Sequence, residues 1–229
     1  MIIGIVGFAG SGKGTVSDIL VEHHDFTKLS FADAVKDATS AIFGWSRHLL
    51  EGDTDESREF RETKDDFWSA RFGYDVTPRY MLQLMGTEAG REVFNQDLWI
   101  HTVERRIRHK QEWEFEDNFV IPDVRFVNEI QAIRKWGGVV IRVVRGDEPE
   151  WYDAALKANR TGDLNDIITT GVHISEWAWI GQQFNYQISN SGTLSMLQAD
   201  VNHMLRVFTG PINSDTMKES LKEIDNEVQ

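Results

Sequence analysis

The 229-residue chain contains no cysteine and only 4 prolines. The absence of cysteine excludes disulfides and thiolate metal sites, so a reducing cytoplasm is the simplest expected compartment. No segment approaches the roughly 18 uninterrupted apolar residues of a membrane-spanning helix, and we expect no membrane partner. The first residues also lack a basic segment followed by an apolar stretch and a cleavage site, which predicts that no secretory signal is present.

Positive charge is scarce as well, with 24 lysines and arginines against 37 aspartates and glutamates and a net charge of −13. Binding to DNA, RNA or anionic lipid depends on many cations spread over a broad surface. We therefore expect no nucleic-acid polymer as a partner, whereas a small phosphorylated ligand stays compatible if a few arginines converge on one cleft. A hydrophobic content of 41% predicts a single domain, residues 1–229, with a buried core and insertions.

The most informative segment is a glycine-rich loop, Gly7 to Thr15, which directly follows an apolar run of strand length at Ile2–Val6. Glycines let successive backbone N–H groups surround a β-phosphate, while Lys13 reaches the β and γ oxygens. The helix that starts near Lys13 directs its positive dipole end at the same anion. This order predicts a phosphate-binding P-loop that holds ATP. The predicted ATP-binding residues are Ala9, Gly10, Ser11, Gly12, Lys13, Gly14 and Thr15.

One position departs from the common P-loop pattern, in which Ser or Thr directly follows the lysine and holds Mg²⁺. Gly14 occupies that position here, and Thr15 follows one place later. Thr15 is the candidate metal ligand of the loop, but direct ligation of Mg²⁺ by the loop stays open. The ending Gly-Lys-Gly-Thr resembles the nucleoside-monophosphate-kinase group more than the GTPases or motor ATPases.

Apolar runs alternate with helical periodicity along the chain, which predicts an α/β fold with a parallel five-stranded sheet flanked by helices. Besides Ile2–Val6, strands are predicted at 26–30, 119–122, 139–144 and 186–189. Helices are predicted at 13–23, 32–43, 78–94, 98–112, 127–136, 175–182 and 193–208.

Three regions lie outside this alternation. The long span between the second and third strands predicts a helical insertion at residues 45–115, in which the charged stretch 46–75 is either a mobile flap or an ordered loop. Residues 145–172 suit a lid that carries Arg145 and Arg160 to the transferring phosphate; the alternative is an exposed segment with ordinary surface arginines.

The third region is the tail, residues 210–229. Its capping box at Thr216 and Glu219 and its helical apolar stripe predict a helix that docks on the core or on a second subunit.

An acidic residue, Asp123, follows the third predicted strand. This is the expected position for the acidic partner of a P-loop, which holds Mg²⁺ or its water shell. Arg125 lies two residues on and faces the same side in extended backbone, so it can reach the acceptor phosphate or the γ-phosphate. Lys13, Asp123 and Arg125 are the predicted catalytic residues. The alternatives are that Asp123 caps the helix near residue 127 and that Glu129 belongs to a solvated face.

The predicted helix at 78–94 places Arg79, Gln83 and Gly86 on one face, which suits the phosphate and base of a nucleotide. Arg91 either binds phosphate or pairs with a nearby acid. Trp99 either stacks on a base or is a buried core residue.

Over most of its length, from Ile2 to about Leu205, the chain resembles the bacteriophage deoxynucleoside-monophosphate kinases. The resemblance rests on the P-loop together with these segments in order: Pro78-Arg79, Leu82-Gln-Leu-Met-Gly-Thr-Glu88, Asp97-Leu-Trp99, Ile121-Pro-Asp-Val-Arg125 with Glu129, and His173-Ile-Ser-Glu176. The P-loop alone is shared by many families, whereas the later segments are more discriminating.

The resemblance implies ATP-dependent phosphorylation of deoxynucleoside monophosphates to diphosphates with Mg²⁺, on a P-loop kinase fold whose insertion binds the acceptor. It also implies a homodimer and, for a phage-encoded protein, the host cytoplasm. The implied acceptor site lies near Lys36, Arg79, Gln83, Trp99, Asp123, Arg125, Glu129, His173 and Glu176. For the last two, capping of the helix predicted after the lid is the alternative.

The predicted reaction is an in-line transfer in which the acceptor phosphate oxygen attacks and no protein nucleophile is needed. Two alternatives stay open: another P-loop small-molecule kinase, of the dephospho-coenzyme-A or phosphomevalonate type, and a nucleotide-binding switch protein. The missing Ser or Thr after Lys13 and the acceptor-sized insertion argue against the switch. The accepted bases and the choice between ribose and deoxyribose also stay open.

Overall fold

The computed structural model describes residues 1–210 and contains an all-parallel five-stranded sheet. The strands are β1 (Ile2–Val6), β2 (Thr27–Lys28), β3 (Phe119–Ile121), β4 (Val139–Val144) and β5 (Tyr186–Ser189), in the order β2-β3-β1-β4-β5. In register, Ile3 of β1 lies opposite Val120 of β3 and Val139 of β4. The predicted α/β fold is confirmed, although β2 is only two residues long and shorter than the predicted strand at 26–30.

Helices cover both faces of this sheet, because side chains along β1 alternate between two cores. Ile3 and Ile5 pack with α1 (Lys13–His24) and α10 (Leu194–Thr209) on one face. Ile2 and Val6 pack on the other face. The helices of that second face are α6 (Leu98–His109), α7 (Val127–Lys135) and α8 (Tyr152–Thr161).

The carboxyl ends of β1 and β3 lie side by side at the point where the connections diverge. The chain leaves β1 through α1 toward β2 on one side, and it leaves β3 through α7 toward β4 on the other. In open parallel sheets, ligands bind in the crevice at such a switch point. The glycine loop follows β1 and Asp123 follows β3, so this topology brings the two together.

The span between β2 and β3 is helical, and residues 46–75 within it are ordered into helices. The described helices of this span before α6 are α2 (Asp33–Phe43), α3 (Asp55–Glu62), α4 (Asp66–Phe72) and α5 (Pro78–Leu84). Helix α3 begins with a capping box, in which the Thr54 hydroxyl accepts from Ser57 N and Ser57 Oγ accepts from Thr54 N. A small separate core formed by Trp45, Leu50, Val76 and Met81 holds these helices together.

The helix predicted at 78–94 is not a continuous α-helix, because α5 is followed by a π-helical segment, Met85–Phe94. Trp99 Nε1 donates to the Gly86 carbonyl at 2.7 Å, an acceptor that an α-helix would use for the amide of residue 90. A Cβ on Gly90 would lie 2.2 Å from the Trp99 ring, so the indole packs directly on this backbone. The helix predicted at 98–112 likewise ends in a π turn, Lys110–Glu114.

The prediction of a helix at 175–182 is wrong. Within that span and just before it, the structure contains only the 3-10 turn Ile174–Glu176. Two tryptophan indoles tie the following turns to backbone carbonyls: Trp177 Nε1 donates to Val172 O and Trp179 Nε1 donates to Glu176 O. The candidate lid, 145–172, contains α8 and a short helix α9 (Asn165–Ile168). The helix and capping box predicted in the tail lie outside the described residues.

Candidate active site

The glycine loop between β1 and α1 adopts a backbone that only glycine tolerates at several positions. Gly7, Gly10 and Gly12 have φ values of +148°, +77° and +99°. At Gly7, a Cβ would lie 2.4 Å from the Val143 carbonyl oxygen of β4. Gly14 differs, because it lies in the first turn of α1 without a positive φ and a Cβ there would meet nothing within 4 Å.

Lys13 lies folded over the loop. Its Nζ donates to the carbonyl oxygens of Gly7 at 2.7 Å and Phe8 at 2.8 Å. Burial and, to a smaller extent, the nearby Arg125 charge lower the pKa of Lys13 to about 8, against the opposing charges of Glu176 and Asp123. The lysine ammonium therefore lies within electrostatic reach of residues from two other segments, the β3–α7 connection and the turn at 173–176.

An unpredicted residue, Asn190, braces the loop from the carboxyl end of β5. Its Nδ2 donates to the Ser11 carbonyl at 2.9 Å and would lie 2.1 Å from a Cβ on Gly12. Its position directly after a parallel strand was the available signal for this role. Ser11 itself is buried, and its hydroxyl has no hydrogen-bond partner within residues 1–210. Thr15 is exposed in the first turn of α1.

A cavity of about 320 Å³ opens beside the loop. Ala9, Ser11, Arg145 and Glu176 are among its lining residues, so it contains one of the two candidate lid arginines. Arg160 lies on the exposed side of α8 and lines neither this cavity nor the larger one described below.

A second cavity, of about 500 Å³, gathers the predicted acceptor residues into one site. Those residues are Lys36, Arg79, Gln83, Arg91, Trp99, Asp123, Arg125, Glu129, His173 and Glu176. They come from α2, the α5 region, α6, the β3–α7 connection and the turn at 173–176. Glu176 lines both cavities, which places the two spaces next to each other.

Asp123 connects the end of β3 to the start of α2. Its Oδ2 accepts from Ser30 Oγ at 2.7 Å and Ala32 N at 3.0 Å, and its Oδ1 accepts from Phe31 N at 3.1 Å. The alternative that Asp123 caps α7 is wrong, because the capping position belongs to Phe126. The carboxylate instead fixes the loop that leads into α2.

Glu129 performs the capping of α7 and is buried, with 2% of its surface exposed. One carboxylate oxygen accepts from the backbone N–H groups of Arg125 and Phe126, at 2.7 and 3.0 Å, and the other pairs with Arg91 at 2.5 Å. Burial raises the pKa of Glu129, against the opposing effect of the Arg91 charge and the backbone donors. The solvated-face alternative for Glu129 is therefore wrong.

Arg91 forms part of the same buried wall, with its guanidinium 4.3 Å from the centre of the Phe126 ring. Trp99 is 6% exposed and contributes the edge of a buried indole to the cavity. These two side chains shape the cavity. The Arg91 guanidinium is already paired with Glu129, and the Trp99 Nε1–H already donates to the Gly86 carbonyl.

Further charged residues of the cavity form pairs. Arg125 Nη1 pairs with Glu176 and lies 3.4 Å from Ser175 Oγ. His173 caps the 3-10 turn, since its Nδ1 accepts from Ser175 N at 3.3 Å.

On the insertion side of the cavity, Lys36 pairs with Glu51 at 2.5 Å and Arg79 pairs with Glu62. Gln83 is exposed at the cavity wall. The charges that meet in the cavity therefore come from both the insertion and the sheet edge.

An all-parallel sheet whose central strand runs into a lysine-bearing glycine loop defines the P-loop phosphotransferase class. Residues 54–157 match the model of the family described as deoxynucleotide monophosphate kinase. The chain is 32% identical over 175 residues to a putative deoxynucleotide monophosphate kinase of Acanthamoeba polyphaga mimivirus, covering 72% of this chain and 86% of that relative. The chain belongs to the deoxynucleotide monophosphate kinase family.

A second relative is the deoxynucleoside-5'-monophosphate kinase of Escherichia phage T5, which is 26% identical over 187 residues, or 59% of this chain and 72% of the relative. Among solved structures, a dephospho-CoA kinase from Campylobacter jejuni is 14% identical and covers 90% of this chain and 95% of its own, with a TM-score of 0.42. That structural likeness is too weak to bear on function. Within residues 1–210, every helix is too short or too polar to cross a bilayer.

Proposed function

We propose that the chain transfers the γ-phosphate of ATP to a deoxynucleoside monophosphate, giving a deoxynucleoside diphosphate and ADP. The observation that carries this proposal is that two cavities with different linings lie next to each other at the switch point of the sheet. The glycine loop lines one space through Ala9 and Ser11, and five cationic side chains line the other. Glu176 lines both, so a donor phosphate on the loop and an acceptor phosphate in the larger cavity come close together.

The donor triphosphate binds at the loop, where backbone N–H groups and the start of α1 provide fixed partial positive charge. Lys13 exchanges the Gly7 and Phe8 carbonyls for phosphate oxygens. The loop amides that surround the anion need no side-chain rearrangement, because the glycine backbone already has the required φ values.

The acceptor monophosphate binds in the larger cavity, and an oxygen of its phosphate attacks the γ-phosphorus in line. A new P–O bond forms to that oxygen, the bond from the γ-phosphorus to the β–γ bridging oxygen breaks, and ADP leaves with the bond electrons. No side chain forms a covalent bond. Lys13 and Arg125 stabilise the charge on the transferring group, and Arg145 at the loop cavity is the favoured lid arginine.

Mg²⁺ is expected to bind with the triphosphate. Asp123 fits this role because a single carboxylate together with substrate phosphates is the usual protein share of a magnesium site. No cluster of three or more acidic, histidine or cysteine side chains suited to a metal occurs in the part of the chain that the structure describes, which agrees with such a shared site. Because the Asp123 oxygens already accept three hydrogen bonds, we propose contact through a bound water, with Thr15 as a second oxygen. Bound Mg²⁺ would neutralise charge on the β- and γ-phosphate oxygens.

Nucleotides are the proposed partners. The net charge of −13 supports the absence of a nucleic-acid polymer among them. We also propose a homodimer and a cytoplasmic location, which is the host cytoplasm for a phage-encoded chain. Light scattering coupled to size-exclusion chromatography tests the dimer.

One acceptor panel tests the reaction. The protein is incubated with ATP and Mg²⁺ and, in separate reactions, each deoxynucleoside and ribonucleoside monophosphate, dephospho-coenzyme A, phosphomevalonate, or no acceptor. Chromatography then separates the products. A diphosphate formed from at least one deoxynucleoside monophosphate is the expected result. Product only from one of the other acceptors identifies a different small-molecule kinase, and ADP release without any phosphorylated product indicates a nucleotide-hydrolysing switch.

A further inference from the structure

Strand β4 contains one charged residue, Arg142, in the otherwise apolar sequence Val-Val-Ile-Arg-Val-Val. It lies opposite Val6 of β1 and Gln187 of β5, and 9% of its surface is exposed. Strands of a parallel sheet that is covered on both faces are usually apolar throughout. Replacing a buried ion pair by apolar side chains of similar volume is often neutral or stabilising. The presence of an arginine at this position therefore calls for a reason other than stability.

The guanidinium of Arg142 lies among three aromatic rings. Its Cζ is 5.3 Å from the centre of the Trp179 ring, 5.7 Å from that of Tyr152 and 5.9 Å from that of Phe8. Its Nη2 pairs with Glu148, and its Nε is buried without a hydrogen-bond partner in the part of the chain that the structure describes. Cation–π contacts and one ion pair thus hold the guanidinium in place.

The Arg142–Glu148 pair spans the start of the candidate lid. β4 ends at Val144 and α8 begins at Tyr152, and the connection between them has no regular secondary structure. Arg145 lies midway along the chain between the two paired residues, is exposed and lines the smaller cavity, of about 320 Å³. Because this side chain is exposed, its direction depends on the backbone that carries it. The ion pair restrains that backbone on both sides of Arg145.

The same aromatic cluster joins the candidate lid to the glycine loop. The Phe8 ring packs on Trp151, with 5.4 Å between ring centres, and on Trp179, with 4.9 Å. The Phe8 carbonyl oxygen accepts from Lys13 Nζ at 2.8 Å and from Ser11 N at 3.2 Å. Phe8 therefore contacts the lid through its side chain and the loop through its backbone. The position of the lid is fixed relative to the loop on which the donor binds.

We propose that Arg142 is a positioning residue for phosphoryl transfer: by holding Glu148, it directs Arg145 at the γ-phosphate of the donor. This inference rests on the proposed function, because it assumes that the glycine loop holds ATP and that Arg145 reaches its terminal phosphate. Arg142 lines neither cavity and acts only through Arg145. Without the ion pair, the connection takes a wider range of conformations, and Arg145 contacts the phosphate less often.

Neutralising Glu148 separates this positioning role from simple electrostatics. Glu148 and Asp147 both line the smaller cavity, so both carboxylates repel a triphosphate bound there. Electrostatics alone predicts that removing either charge strengthens triphosphate binding. Our proposal predicts weaker binding for Glu148→Gln, because this change releases the segment that carries Arg145. Asp147 is adjacent and exposed, and the ion pair with Arg142 is made by Glu148 instead. Asp147→Asn is therefore the matched control.

Calorimetry without an acceptor measures binding of ADP and of the β,γ-imido analogue of ATP, each with Mg²⁺. Wild-type protein should bind the triphosphate analogue more tightly than ADP. We expect Arg145→Ala, Glu148→Gln and Arg142→Met each to reduce this preference about 10-fold, because a charge-assisted hydrogen bond to the γ-phosphate is lost. The double variant Arg145→Ala/Glu148→Gln should lose no more than Arg145→Ala alone. Asp147→Asn should keep the preference or increase it.

An unchanged or stronger triphosphate preference in Glu148→Gln would overturn the proposal, as would additive losses in the double variant or no preference in the wild type. Urea unfolding provides the structural readout, and Arg142→Met should keep or raise the wild-type midpoint. A lowered midpoint with an intact preference would mean that Arg142 serves only the core. If Arg142→Met does not fold, Glu148→Gln and the double variant decide. Wild-type protein that shows these binding differences but phosphorylates no monophosphate would refute the proposed reaction and leave the role of Arg142 standing.

Discussion

The two cavities use different parts of the chain to handle negative charge. Beside the smaller one, the glycine loop provides backbone N–H groups, whose directions are set by three glycines with positive φ, and Arg145 lines the same cavity. In the larger cavity, positive charge comes from side chains, most of which are neutralised by carboxylates. The donor region is therefore rigid and ready for an anion, whereas the acceptor region must exchange internal partners for its substrate. Binding of the donor triphosphate at the glycine loop should be fast and insensitive to side-chain order. Binding of the acceptor in the larger cavity should depend on which ion pairs can open.

The largest effect is expected for Lys13→Ala, which removes the side-chain charge of the glycine loop. Phosphoryl transfer should fall about a thousandfold or more, because a charge aimed at the transferring group is lost. The fold should persist, since within residues 1–210 the Lys13 side chain bonds only to the Gly7 and Phe8 carbonyls. A coupled ADP-release assay measures the rate, with Lys28→Ala, an exposed lysine paired with Asp18, as the control. A folded variant with near-normal turnover would show that the loop is wrongly assigned.

The next largest effect is the difference in stability loss between breaking a buried ion pair and breaking an exposed one in the larger cavity. Glu129→Ala should lower the free energy of unfolding by about 3–5 kcal/mol, because it leaves Arg91 and two backbone donors unsatisfied. Glu176→Ala should cost less than about 1 kcal/mol, since its pair with Arg125 is partly exposed. Urea unfolding of both variants measures the difference. Similar losses would contradict the division into fixed and exchangeable pairs.

The pH dependence of the reaction tests how the two regions influence each other. With a pKa of about 8, free Lys13 loses its proton as the pH rises through that value, so kcat/KM for ATP should fall above it. Glu176 raises this pKa and Arg125 lowers it. Glu176→Gln should therefore move the decline to lower pH, and Arg125→Gln should move it to higher pH. Profiles of kcat/KM against pH for the three proteins measure this, and shifts in the same direction would rule out the electrostatic link.

The smallest expected effect separates two glycines of the loop. Gly14→Ala should raise the free energy of unfolding by about 0.5 kcal/mol, because Gly14 is helical and open space surrounds its Cα. Gly12→Ala should lower it, since φ is +99° and a Cβ would collide with the Asn190 amide. Thermal unfolding of both variants provides the measurement. A loss of stability in Gly14→Ala would mean that the loop needs glycine there for reasons other than backbone freedom.

The parts that the sequence predicted well are those whose signal is contiguous. β1, β4 and β5 have the predicted bounds, because each is an apolar run that a sheet core requires. Asp123 and Glu129 were found from their places after β3, although their hydrogen-bond partners were not foreseen. The capping alternative for Asp123 failed because Glu129 caps α7 at Phe126, and the solvated-face alternative for Glu129 failed because that side chain is buried.

The parts that were missed depend on contacts that sequence spacing does not contain. Helix α3 is almost entirely polar and is fixed by its capping box and by packing of Phe60 on a small local core, so its periodicity was too weak to detect. Arg61 of this helix, which lines the larger cavity, was therefore missed with it. The π segment at Met85–Phe94 depends on a hydrogen bond from Trp99, which lies on the next helix. Helical propensity depends on the local sequence and does not include hydrogen bonds from another helix.

The brace between Asn190 and Ser11 joins residues that lie 179 positions apart. Synthesis proceeds from the amino-terminal side, so the loop leaves the ribosome long before its brace is made. At about 5–20 residues per second, the interval is roughly 10 to 40 s. Until Phe119 is made, β1 also lacks both of its sheet neighbours, β3 and β4. A nascent chain thus carries the phosphate-binding motif without its geometry, and donor binding becomes competent only when nearly the whole described sheet has been translated.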